Sequence, residues 1–207
     1  QGTAQRWVMQ KTTSATLNFA AVMAVASRIY SAYDAEFSNK SASYRQAAIA
    51  AWDWAKANSN VPFDSANSES NTGPYGDSTF SDEFAWAAAE LYILTQEAQY
   101  LTEYKNAGVS NGVPWWGGVA PLAYISFAEH GNGLLSASDY SAIETAILNF
   151  GNSISVKQLA NPYRVPMEES DFGWGSNSAA LNQALMSYQA YRLSNDNKYR
   201  EVAVATI

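Results

Sequence analysis

The side chains best suited to chemistry in this 207-residue chain sit in three loops. Residues 161–175 read NPYRVPMEESDFGWG, which places Tyr163, Arg164, Glu168, Glu169 and Asp171 around Trp174. Carboxyl groups beside aromatic rings are the residue types that general acid and base catalysis uses. A solvated acidic face is the plainer reading of Glu168 and Glu169. Trp174 lies between two glycines at a loop-to-helix junction, so its ring face is open unless it plugs the helix start. Tyr75, Gly76 and Asp77 close a second loop; Tyr75 offers a ring with a hydroxyl, and Gly76 permits close backbone approach. Ser81 then suits an N-cap, and Asp82 and Glu83 suit the positive first turn of a helix. Trp115 and Trp116 occupy the third loop, GVPWWGG. Adjacent rings usually point opposite ways, which predicts one ring in the core and one lining a cleft. The sole histidine, His130, precedes Gly131 and reads as a solvated residue at a helix end. With no cysteine and one histidine, thiol chemistry is excluded and neither a zinc site nor a Ser–His pair is supported.

Composition narrows the partners. Hydrophobic residues make up 47% and charged residues 15%, so a sizeable core is paired with an uncharged polar surface. A net charge of −7 disfavours phosphate backbones and anionic membranes, but not a neutral polysaccharide. No nucleic acid and no membrane are therefore expected as partners. The start, Gln1–Arg6, lacks a signal-peptide pattern and fits a mature or trimmed chain. Aromatic residues reach 14%; most belong to the core, and those clustered with Gly, Pro and Asn in loops are platforms for sugar faces.

The elements that must position these loops are helices. Residues 14–32 are apolar nearly all round until Arg28, which predicts a helix surrounded by protein. In 41–58, Tyr44, Ala48, Ala51, Trp52 and Ala55 form one stripe. A polar loop covers 59–80, followed by helices over 81–96 and 97–106. Pro121 suits the first turn of a helix over 119–129. Ser136 or Ser138 caps a more polar helix over 137–152, and helices at 178–194 and 197–207 complete the chain. These are about eight helical segments with no convincing strand. More buried segments (14–32, 81–96, 119–129, 178–194) alternate with wetter ones, the pattern of inner and outer helices in an α/α toroid. The apolar end VAVATI carries no cap or polar tail, which predicts a chain cut from a larger one.

Three blocks carry a family resemblance: TTSATLNFAAVMAVASRIY at 12–30, TGPYGDSTFSDEFAWAAAELYILT at 72–95, and NPYRVPMEESDFGWGSNSAALNQALMSYQAYRLSNDNKYR at 161–200. They resemble the family 9 glycoside hydrolases, the (α/α)6-barrel cellulases, most of all the bacterial branch that often carries an immunoglobulin-like module. The resemblance implies an all-α, incomplete (α/α)6 barrel, with residues 1–207 as the central portion of a catalytic domain whose two ends are missing. It implies inverting hydrolysis of β-1,4-glucan, in which one carboxylate activates water and one carboxylic acid protonates the leaving oxygen. The family's base lies in an Asp-Ala-Gly-Asp motif absent from this sequence, and its acid in an Asn-Glu segment that would come later. No catalytic residue is therefore expected within the chain.

The resemblance also assigns roles to the three loops. Trp174 is placed at the barrel mouth against a glucosyl ring, with Tyr75, Trp115, Trp116, Tyr163 and Arg164 as further substrate-binding candidates. Glu168, Glu169 and Asp171 fall back to sugar hydrogen bonds or structural ion pairs. Asp77, Ser78, Asp82 and Glu83 become candidates for a structural calcium site, since all offer hard oxygen ligands. One departure weakens that site: some members add an Asp after a Trp of the next loop, where this chain has Gly117 after Trp116. The implied partners are cellulose or another β-1,4-glucan, and either the rest of the catalytic domain or a second copy covering exposed helices. The implied location is secreted or periplasmic, in a bacterium. A non-catalytic glucan-binding module and a helical scaffold protein are the two rival readings.

Overall fold

The computed structural model describes residues 8–64, 76–173 and 175–207. Tyr75 and Trp174, two of the substrate-binding candidates, lie outside the described residues. Eight α-helices are present among the described residues: α1 (Thr13–Ser31), α2 (Lys40–Ala57), α3 (Ser81–Thr95), α4 (Ala98–Ala107), α5 (Ala120–His130), α6 (Ala137–Ala160), α7 (Ser176–Ser194) and α8 (Asn197–Thr206). Strand-like pairing among the described residues is limited to an isolated bridge between Trp115 and Gly118. The chain divides into two units, Gln1–Ala107 and Gly108–Ile207.

In the first unit, α1 and α2 form an antiparallel hairpin laced at both ends. Thr12 caps α1 by accepting from Ala15 N. The Thr13 hydroxyl donates to Asn58 O at 2.6 Å and accepts from Val61 N at 2.8 Å. At the other end, the hydroxyls of Ser27 and Ser41 each donate to the other's carbonyl at 2.9 Å. Small side chains between these laces, Ala20, Ala21 and Ala24 on α1 and Ala48, Ala51 and Ala55 on α2, belong to one buried cluster. Trp52 anchors that cluster, meeting the rings of Phe84 and Tyr100 edge-on at 5.6 and 5.5 Å. The predicted stripe on α2 is thus the buried face. The prediction that α1 is covered all round is not met: Phe19, Val22 and Ile29 are each about half exposed.

A buried ion pair joins α1 to α3. Arg28 Nη2 lies 2.6 Å from Glu90 Oε2, and Arg28 Nη1 donates to Glu90 O at 3.2 Å. Trp86 Nε1 donates to the other carboxylate oxygen at 3.2 Å. Glu90 is 1% exposed, so its charge is tolerated only because these donors meet it. Arg28 reads from the sequence as the end of an apolar run; in the fold it is a cation paired with the buried Glu90 of α3.

In the second unit, α6 packs on α5, α7 and α8. The Ser136 hydroxyl caps α6 by accepting from Asp139 N at 3.1 Å. The helix then continues to Ala160, past the predicted end at 152. Gly151 lies inside the helix and thins it. A Cβ there would fall 2.5 Å from Ala190 Cβ and 3.1 Å from the Tyr199 ring. The missing side chain therefore lets α6 approach α7 and α8 closely. Beside it Ile154, Met186 and Val202 form a small buried cluster, with Ile125 and Phe150 packed against it. On α7 the predicted burial is partial, since Leu181 and Tyr188 are 51% and 46% exposed.

Candidate functional site

Trp115 and Trp116 are displayed by a tight hairpin. Trp115 N donates to Gly118 O at 3.0 Å and Gly118 N donates back to Trp115 O at 3.1 Å, leaving Trp116 and Gly117 at the tip. The Trp115 indole folds over the two glycines: a Cβ on Gly117 would stand 2.9 Å from its ring, and one on Gly118 would overlap its Nε1. Trp116 projects farther, 68% exposed against 55% for Trp115. Their centroids are 5.3 Å apart and their planes meet at 78°. The expectation that one of the pair enters the core is therefore wrong. The Trp115 indole lies against Gly117 and Gly118 of its own turn, and both rings stay at the surface.

Both rings line one open cleft of about 300 Å³ within the second unit. Its opposite wall is Ser170, Asp171, Gly173, Gly175 and Ser176, and its floor includes Gln183 of α7. The walls are fastened to α7. Asn182 Nδ2 donates to Pro114 O at 2.7 Å, and Gln183 Nε2 donates to Asp171 Oδ2 at 3.3 Å. Sequence reasoning passed over Asn182 and Gln183. The available signal was two adjacent amides inside a helix otherwise read for its apolar residues.

Two acids of the 161–175 loop, Glu168 and Asp171, are engaged with protein. Glu169–Asp171 is a 3-10 turn closed by a reciprocal capping box between Glu168 and Asp171. Glu168 also pairs with Lys157 at 2.7 Å. These bonds are the structural role left to Glu168 and Asp171 once an acid/base role is set aside. Upstream, Asn161 organises the turn that presents Tyr163 and Arg164. Its Oδ1 accepts from Tyr163 N at 2.8 Å, its Nδ2 donates to Met167 O at 3.3 Å, and its carbonyl accepts from Arg164 N at 2.9 Å. Tyr163 is 87% exposed, and Arg164 is held at φ 58°, a left-handed conformation uncommon for a residue with a Cβ.

The first unit holds the acidic turn. Carboxylate oxygens of Asp77, Asp82 and Glu83 lie within 4.8 Å of one another. Asp77 Oδ1 accepts from Thr79 N at 2.9 Å, a local turn that precedes α3. Ser81 is the first residue of α3 and not its cap; Phe80 stands at the cap position without a side-chain bond. Ser78 is exposed beside the turn. Glu83 is only 4% exposed, and burial pushes its carboxyl up to about 8, helped by Asp82 and then Asp77. Asp77 Oδ2 and Glu83 Oε2 are buried without a hydrogen-bond partner. Three converging hard-oxygen side chains, two with orphaned buried atoms, fit a divalent cation better than they fit one another. His130 is an exposed residue at the end of α5, as expected.

Comparison with known proteins places this arrangement. The family model for glycosyl hydrolase family 9 matches residues 2–207. A xyloglucan-specific endo-beta-1,4-glucanase from Bacteroides ovatus is 31% identical over 94% of this chain, and a cellulose 1,4-beta-cellobiosidase from Acetivibrio thermocellus is 29% identical over 94%. The chain spans 35% and 24% of those relatives' lengths. A solved Bacteroides ovatus family 9 structure superposes with a TM-score of 0.91 at 28% identity, over 99% of this chain and 40% of that one. These likenesses bear out the expected fold class, all-α and part of an α/α toroid. The chain belongs to glycosyl hydrolase family 9.

Proposed function

We propose that this chain supplies part of the glucan cleft of a cellulase, an endo-β-1,4-glucanase that inverts at the anomeric carbon, and carries neither catalytic carboxylate. The observation that carries this reading is the Trp115–Trp116 pair, exposed on a glycine hairpin and facing the 170–176 wall across an open cleft. Pyranose rings have apolar faces that stack on such indoles, each contact contributing about 1 kcal/mol. Gly173 and Gly175 also line the cleft, and Ser170 and Ser176 supply hydroxyls for sugar hydrogen bonds. Tyr163, Arg164 and Trp174 are assigned the same sugar-binding role, and Tyr75 of the first unit is assigned one separately. Residues 1–207 are on this reading the central portion of the catalytic domain. The exposed faces of α1 and α7 are then covered by the rest of that domain or by a second copy. A titration with cellotetraose tests the reading: W115A and W116A each weaken binding several-fold, whereas wild-type affinity in both would remove the cleft assignment.

Asp77, Asp82 and Glu83, with Ser78 beside them, would hold a calcium ion that fixes the start of α3. When bound, the ion supplies charge compensation for carboxylates that otherwise repel. The parent protein acts outside the bacterial cytoplasm, secreted or periplasmic, because an insoluble glucan is met only there. Cell fractionation checks this, and retention in the cytoplasm would contradict it.

A further inference from the structure

We propose that Asn182 and Gln183 of α7 are positioning residues that set the separation of the two cleft walls; the proposal rests on the glucan-cleft reading. Successive helix residues are about 100° apart, so adjacent side chains splay to two sides. Here each side chain takes one wall. Asn182 Nδ2 donates to Pro114 O at 2.7 Å, across 68 positions of sequence and immediately before the Trp115–Trp116 hairpin. Gln183, 6% exposed, donates through Nε2 to Asp171 Oδ2 at 3.3 Å. That same oxygen accepts from Glu168 N at 2.9 Å, so Gln183 reaches the 3-10 turn through its own cap.

The helix does not need these amides to stay in place. Ala184, Met186 and Ala190 are buried, and the Ser187 hydroxyl donates to Tyr199 O at 2.9 Å. The amides instead act outward, on the two loops that line the cleft. A change in either amide therefore moves a wall while α7 stays docked. Asn182 governs the register of the hairpin, and Gln183 governs the height of the facing turn.

The test labels the full chain with 5-fluorotryptophan, assigns the Trp115 and Trp116 resonances from W115F and W116F, and compares N182D and Q183M with wild type. N182D keeps the side-chain shape and removes the donor; N182A serves in its place if a carboxylate at 182 prevents folding. In N182D the 19F resonances of Trp115 and Trp116 shift while those of Trp52 and Trp54 hold. Cellotetraose affinity falls about three- to tenfold, the loss expected for one hydrogen bond. Q183M lowers affinity with smaller movement of the two resonances. In a W115A/W116A background N182D has no further effect on binding, a coupling that general destabilisation would not produce. Unmoved Trp115 and Trp116 resonances in N182D and N182A overturn the proposal. Moved resonances in a chain that does not bind cellotetraose leave the positioning role standing and remove the glucan reading.

Discussion

At the residue scale, the acidic turn gives the sharpest consequences. The Glu83 carboxyl is raised to about 8 by burial and by Asp82, against an ordinary value near 4.5 in the unfolded chain. Without a cation, the folded state therefore holds a proton that the unfolded state has lost. Its stabilisation is fully present below about pH 4.5 and disappears as pH rises toward 8. The chelator-treated chain should lose thermal stability across that interval, and E83Q, which cannot ionise, should flatten the curve. A slope unchanged by E83Q would contradict this origin. Added calcium should raise Tm at neutral pH in wild type and not in D77N, because ligand binding to the native state alone stabilises it. The cleft makes a parallel demand on glycine. G118A, which has no room beside the Trp115 indole, should weaken cellotetraose binding while leaving helical circular dichroism unchanged. The candidates themselves were legible as residue types: acids before a helix, and rings among Gly and Pro. What the sequence hid was orientation. Trp115 and Trp116 share a side because two bonds to Gly118 close the turn, and no alternation rule applies to a hairpin tip.

At the element scale, two contacts decide how the helices meet. Arg28 and Glu90 bind α1 to α3 through a carboxylate that is 1% exposed. Removing one partner strands the other, so R28M should cost about 3 kcal/mol in a denaturant melt. Retention of wild-type stability would mean that Glu90 does not depend on Arg28. Gly151 sets the second contact, and G151A should destabilise by about 1–3 kcal/mol because its methyl overlaps Ala190. Helix positions were readable from periodicity and caps: Ser136, Pro121 and the Ala48–Ala55 stripe all fall where the pattern places them. The predicted end at 152 fell eight residues short of Ala160, because nothing in one sequence shows that Gly151 lies inside a helix. A glycine at a close crossing and a glycine at a helix end look alike in one sequence, and only the facing Ala190 and Tyr199 separate them.

At the scale of the whole molecule, the chain is about two-fifths of a family 9 structure whose fold it shares. The half-exposed Phe19, Val22 and Ile29 of α1, and Leu181 and Tyr188 of α7, fit helices built to be covered by more protein. Periodicity predicted burial on these faces that the described residues do not provide. With Glu168 and Asp171 committed to a cap and Glu168 also to an ion pair, the chain should not hydrolyse carboxymethylcellulose. Turnover abolished by changing Glu168, Glu169 or Asp171 would assign catalysis to this loop after all. The central claim, that the second unit carries a glucan cleft, is tested most directly by a crystal structure of the chain soaked with cellotetraose. The account predicts a glucosyl face within about 4 Å of the Trp116 indole, with the chain running between the hairpin and residues 170–176. A cleft left empty at saturating sugar, or sugar bound only elsewhere, would contradict it.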